Sequence, residues 1–199
     1  TSSDEIDRLK DRLIAELERM REELIDLSRN LHGQPEVAFQ EHLSADLLTL
    51  FLEKEGFLVE RGVGQLPTAL KAVWGSSSGP SVALIAEYDA LPEMGHGCGH
   101  TLSAASSLGA AVALKRATRG LAGRVVVVGT PAEEGGGGKI LLLERGVFDD
   151  LDVAMMVHPS NRNRLAMRTL AMADLKMAFR GRASHAAAAP HLGINALDA

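Results

Sequence analysis

Three apolar runs with helix-type segments between them constrain this chain more than any other feature. They are Ser81–Ala86, Arg124–Gly129 with four consecutive valines, and Val153–Val157. A strand that is apolar at every position is covered on both faces, and strands alternating with helices pack as parallel neighbours. The intervening segments fit: Thr101–Thr118 is Ala-rich and Lys139–Arg145 has the length of a short helix. The pattern predicts an α/β layer with a mostly parallel sheet and helices on both faces. Shorter strands are expected over Phe57–Val63 and Ala69–Trp74, before the turn-rich stretch Gly75–Pro80.

The first thirty residues carry a different period. Ile6, Leu9, Leu13, Leu17, Met20, Leu24, Leu27 and Leu31 follow three- and four-residue steps, which predicts one long amphipathic helix opened by Ser2 and Glu5 as a capping box. A second helix is expected over Glu41–Glu55, ending at Gly56. Near the other end, residues 173–180 place large apolar side chains at every second position, the mark of a strand with one wet face. Two domains follow: residues 1–162 as the α/β domain, and 163–199 as the start of an antiparallel domain. Ile194–Ala199 reads as the beginning of a helix, so the chain is expected to be part of a longer one.

Composition excludes several functions. A net charge of −5 with scattered Lys and Arg gives no basic stripe for nucleic acid and no polybasic membrane patch. No apolar run approaches the roughly 18 residues of a membrane helix. A single cysteine rules out an internal disulfide and suits a reducing compartment, so a cytoplasmic location is expected.

Each of the three apolar strands runs directly into polar residues suited to metal chemistry. The first leads to Glu87, Asp89 and Gly95-His96-Gly97-Cys98-Gly99-His100, the second to Thr130-Pro131-Ala132-Glu133-Glu134, and the third to His158-Pro159. Open parallel sheets bind ligands beyond the carboxyl ends of their strands, so these groups should converge. Thiolate, imidazole and carboxylate together form a zinc-type donor set that also suits other divalent ions. Glu133 and Glu134, as neighbours on an extended segment, would point to opposite sides, one toward the metal and one toward substrate as a base. Two other motifs fail. Gly135–Lys139 lacks the earlier glycine and the hydroxyl residue of a phosphate loop, and His100 occupies the third glycine of a dinucleotide fingerprint.

The segments Tyr88–Pro92, Gly95–His100 and Gly129–Lys139 resemble family twenty of the metallopeptidases, which includes aminoacylase, carboxypeptidase G and the auxin-conjugate amidohydrolases. His158-Pro159, Gly181–His185 and the early Leu31-His32-x-x-Pro35-Glu36 fit it too, nearest to the branch with a cysteine ligand. The resemblance implies a zinc-exopeptidase-like fold followed by a ferredoxin-like lid. It implies hydrolysis of amide bonds in N-acyl amino acids, small peptides or aminobenzoyl-glutamate-like conjugates. Cys98, His100, Glu134 and His158 would hold divalent metal, zinc or manganese, with two ions in the full-length protein. Glu133 would be the general base and Asp89 the carboxylate that orients the cluster. His185, on the lid, would stabilise the oxyanion, often from the partner subunit of a homodimer. Thr101 stands where relatives carry Asn or Asp, and Gly97 where Ala is common. Relatives are about twice this long, with a further metal-binding His in a returning segment, so the chain alone is expected to be poorly active. The rival readings are a non-catalytic metal- or peptide-binding fragment of the same fold, and a cysteine hydrolase with Cys98 as nucleophile and His100 as base.

Overall fold

The computed structural model describes residues 3–118, 122–165, 171, 173 and 175–198, and they form two units, Thr1–Asn161 and Arg162–Ala199. The first unit runs α1 (Ser3–Arg19), α2 (Arg21–His32), α3 (His42–Lys54), β1 (Leu58–Arg61), β2 (Leu70–Gly75), β3 (Ser81–Glu87), α4 (His100–Ala117), β4 (Arg124–Thr130), α5 (Gly138–Glu144) and β5 (Val153–Met155).

The sheet order is β1-β2-β4-β3-β5. β3 pairs in parallel with both β4 and β5, and this parallel centre is where the apolar runs lie. β2 joins β4 antiparallel, and β1 joins β2 antiparallel, so the sheet is mixed. Alternate residues of the central strands enter two cores. Leu84, Ala86, Val125 and Val127 pack with α2, α3 and α4, while Ala83, Ile85, Val126 and Val128 pack with Leu142 of α5 and Val147. Double-sided burial is why these strands are apolar throughout. The helix after β3 covers one face and the helix after β4 covers the other. A crevice therefore opens between the carboxyl ends of two neighbouring strands, where such folds bind ligands.

The expected long N-terminal helix is two helices, meeting at Met20. Met20 is buried in the first core, whereas no residue of α1 is buried; α1 lies against α4, with Leu17 beside Gly109, and its side chains stay at least partly exposed. Ser2 of the expected capping box lies outside the described residues. The motif around Pro35-Glu36 acquires a structural role. The Glu36 carboxylate accepts from Leu43 N, Ser44 N and Ser44 Oγ at 2.8–3.0 Å, capping the free amides at the start of α3. β5 is shorter than expected and exposed at all three residues rather than buried, because it is the edge strand of the sheet.

In the second unit, Leu175–Arg180 forms no strand and each of its residues is exposed. An alternating strand needs a neighbour for its backbone groups, and none of the described residues runs alongside it. Asp174 of the same expected strand lies outside the described residues. Among the unit's described residues are an antiparallel bridge between Arg182 and Ile194 and short 3-10 turns at Pro190–Leu192 and Ala196–Asp198. The last replaces the helix expected from Ile194 to Ala199, and Ala199 is itself not described.

Candidate metal centre

β3 ends at Glu87, and two residues later the chain places Asp89; both are almost wholly buried. After the loop 90–99 the chain enters α4 through Gly99, whose φ of +80 is the left-handed value that glycine takes without cost. A Cβ at Gly99 would lie 3.0–3.1 Å from the ring of Pro159. The close approach of these two loops brings His100 and His158 together, with ring centroids 5.4 Å apart and edge-to-face.

His100 is held from behind. Its Nδ1 lies 2.9 Å from the Asp89 carbonyl oxygen and 3.2 Å from Asp89 Oδ1, which fixes the proton on Nδ1 and turns Nε2 into the crevice. There Nε2 faces Glu87 Oε2 at 3.5 Å, Glu134 Oε1 at 3.7 Å and Glu133 Oε2 at 3.8 Å. His158 Nε2 is 3.9 Å from the same Glu87 oxygen, and the other oxygen of Glu87 pairs with Lys139 at the start of α5. Two sets of donor atoms thus lie within 4.8 Å of one another: Glu87, His100 and His158, and His100, Glu133 and Glu134.

Glu133 and Glu134 sit on a turn rather than an extended segment. Ala132 just before them is left-handed, with φ +58, and the bend lets both carboxylates approach His100 instead of diverging. Their environments differ all the same: the Glu133 side chain is 40% exposed and that of Glu134 16%. Asp89 Oδ2 accepts from Glu134 N at 2.8 Å, so one carboxylate orients both the imidazole and the loop carrying the glutamates. Cys98 is half-buried and stands in neither donor set. Thr101 points away from this chemistry, its hydroxyl accepting from Ser28 Oγ at 3.2 Å and joining α2 to α4.

The electrostatics are those of a crowded anionic pocket. The hydrogen bond to Glu134 and burial raise the Cys98 thiol to about 11, with Glu133 and Asp89 adding repulsion. Burial alone would lower His100, but the bonds to Asp89 and the Glu87 charge outweigh it and raise the imidazole to about 9. Burial pushes Asp89 up, yet His100 and the Glu134 amide bring its carboxyl below the ordinary range.

A divalent cation fits this donor set on one further observation. His100 Nε2, Glu87 Oε2 and Glu134 Oε1 are buried and have no hydrogen-bond partner. Leaving a buried polar atom unsatisfied costs about 1–3 kcal/mol, and more for a charged one. Three of them aimed into one crevice are what a bound cation satisfies. Sequence reasoning placed Glu87 among the polar residues at the carboxyl end of an apolar strand but assigned it no role as a ligand. His96 was also passed over; both its ring nitrogens are buried without partners, and its ring lies 6.1 Å from that of His32.

The fold and the donor set together define an α/β protein with a metal-type site at the carboxyl edge of its sheet. The chain belongs to the Peptidase family M20/M25/M40, whose pattern matches residues 83–188. It is 43% identical to the Xaa-Arg dipeptidase of Mus musculus, over all of this chain and 49% of that protein. Identity to a component of the p-aminobenzoyl-glutamate hydrolase of Escherichia coli (strain K12) is 39%, over 92% of this chain and 42% of that one. Among solved structures, the YXEP protein of Bacillus subtilis, described as a dinuclear metal binding peptidase, matches with a TM-score of 0.62 and 32% identity over 69% of this chain and 42% of its own. The chain spans about half the length of the curated relatives it matches.

Proposed function

We propose that the protein carrying this chain is a metal-dependent hydrolase of amide bonds in N-acyl amino acids, small peptides or aminobenzoyl-glutamate-like conjugates. The observation that carries this reading is the convergence of unpartnered buried donor atoms from Glu87, His100 and Glu134 beyond the ends of two neighbouring strands. Cys98, His100, Glu134 and His158 would hold the metal, as zinc or manganese and as two ions in the whole protein. Bound there, it supplies a Lewis acid for the scissile carbonyl and lowers the pKa of water.

The remaining work falls to this chain's own groups. Glu133, the more exposed of the paired glutamates, accepts the proton of the attacking water and returns it to the leaving amine. Asp89 keeps the proton on His100 Nδ1, so that the Nε2 lone pair stays directed at the crevice. Residues 1–162 supply the catalytic layer and 163–199 open a lid that also mediates a homodimer. On the lid, His185 Nδ1 accepts from Ala187 N and Ala188 N at 3.2 and 3.0 Å. That arrangement places the ring proton on Nε2, free to donate to the oxyanion that develops on the substrate. Among the described residues no helix is long and apolar enough to cross a membrane, and the single cysteine supports placement in the reducing cytoplasm.

The test is turnover of an N-acyl amino acid and of a dipeptide by the full-length protein before and after chelation. Loss on chelation and recovery with zinc or manganese is the expected result. Undiminished turnover after complete metal removal would return the site to the cysteine-nucleophile reading.

A further inference from the structure

Glu41 is fully buried, and its carboxylate accepts three hydrogen bonds. Oε1 takes Phe39 N at 3.0 Å and Ala132 N at 2.8 Å, and Oε2 takes Thr68 Oγ1 at 2.9 Å. Burial raises the Glu41 carboxyl above its ordinary value, although the donors from its own backbone, Thr68, Ala132 and Phe39 pull it back. A buried carboxylate far along the chain from the metal centre needs a reason to be there.

The two amides that share Oε1 supply one. Phe39 and Ala132 are both non-glycine residues in the left-handed region, with φ +62 and +58. Such residues are strained and persist where their surroundings over-determine them. Ala132 immediately precedes Glu133 and Glu134, and its own carbonyl accepts from Gly136 N and Gly138 N, each at 3.2 Å. The segment between β4 and α5 is therefore fixed at two amides, Ala132 N by Glu41 and Glu134 N by Asp89. Between those fixed points the bend turns both glutamates toward His100, where an extended backbone would send them apart.

We propose that Glu41 is a positioning residue of the metal centre: by holding Ala132 left-handed through its amide, the buried carboxylate aims Glu133 and Glu134 at His100. The inference rests on the reading of Glu133 as base and Glu134 as ligand given above. Glu41 touches neither metal nor substrate, and acts through the backbone of the residue before the pair.

The test uses the whole chain, with hydrogen exchange over residues 131–138 in the metal-free protein and zinc affinity by chelator competition as its two readouts. Glu41→Gln keeps an oxygen for both amides and should match the wild type in both. Glu41→Asp, one methylene short of Ala132 N, and Glu41→Ala should speed exchange in 131–138 and weaken zinc binding, each by about tenfold or more. Glu41→Asp carries the test if Glu41→Ala does not fold. Thr68→Val removes the third hydrogen bond without touching Ala132, so it should lower the melting temperature yet leave zinc affinity unchanged. Ala132→Gly, which takes a left-handed φ freely, should restore part of the zinc affinity lost in Glu41→Asp. The proposal is overturned if Glu41→Asp and Glu41→Ala keep wild-type exchange over 131–138. It is equally overturned if Thr68→Val at matched stability loses as much zinc affinity as Glu41→Asp. Should the wild-type chain bind no zinc, the metal reading fails, while exchange over 131–138 still decides the role of Glu41.

Discussion

His100 meets more opposing forces than any other residue of the site. It is 1% exposed, bound to Asp89 and faced by Glu87, and its imidazole is raised to about 9. A histidine whose folded value lies above its ordinary 6.5 adds stability that is complete below 6.5 and is lost as the pH rises through about 9. The metal-free chain should accordingly be less stable, and melt lower, at pH 9 than at pH 6.5. Calorimetry with chelator at the two pH values checks this; a melting point that climbs over the interval contradicts it. On the proposed reading a bound divalent cation would take the place of that proton, and of one on Cys98, so binding should release protons and tighten as the pH rises. The paired glutamates separate by a different experiment. In the full-length protein, Glu133→Gln should reduce turnover by about 10²-fold or more while metal content holds, and Glu134→Gln should lose metal, both read by elemental analysis beside an activity assay. Equal metal loss in the two variants would dissolve the division of roles. At this scale residue type alone marked His100 and His158, which the structure brings together at the strand ends, whereas Cys98 stands in neither donor set. The sequence named Glu87 among the polar residues after β3 without giving it a role and was silent on Glu41, since a glutamate looks the same on paper whether it is solvated or buried against hydrogen-bond donors.

At the scale of elements, the double-sided burial of β3 and β4 was legible because it leaves no polar position between the strand ends. The antiparallel attachment of β2 to β4 was not, because hydropathy marks burial and carries no strand direction. The same limit explains β5, whose apolar residues read as core although the strand lies at the sheet edge. The break at Met20 also escaped, since apolar spacing continues across it and neither proline nor glycine marks it. The join between loop and α4 offers a direct test. Gly99→Ala places a methyl group against Pro159 at a left-handed φ, so the variant should lose about 1–2 kcal/mol and bind zinc more weakly, because His100 and His158 are held together across that contact. Chemical denaturation and chelator competition measure the two effects. Loss of stability with unchanged zinc affinity would show that the contact does not set the spacing of the two histidines.

The whole molecule is defined as much by span as by site. The chain covers about half of its curated relatives, and Val153, Met155, Met156 and Val157 along the β5 edge are 41–65% exposed. An apolar strand edge of this kind binds apolar dyes and invites association. Alone, the 199-residue chain should bind such a dye, hold about one divalent ion and turn over an N-acyl amino acid far more slowly than the full-length protein. Comparable turnover with two ions per chain would show that these residues already contain the complete site. The central claim, that this sheet edge is a metal centre with Cys98 among its ligands, is tested most directly by cobalt(II) substitution. The wild-type chain should develop a thiolate-to-cobalt charge-transfer band in the near ultraviolet, and Cys98→Ser should bind cobalt without it. Cobalt bound with no such band in the wild type would exclude Cys98 as a ligand, and no cobalt bound at all would contradict the metal centre itself.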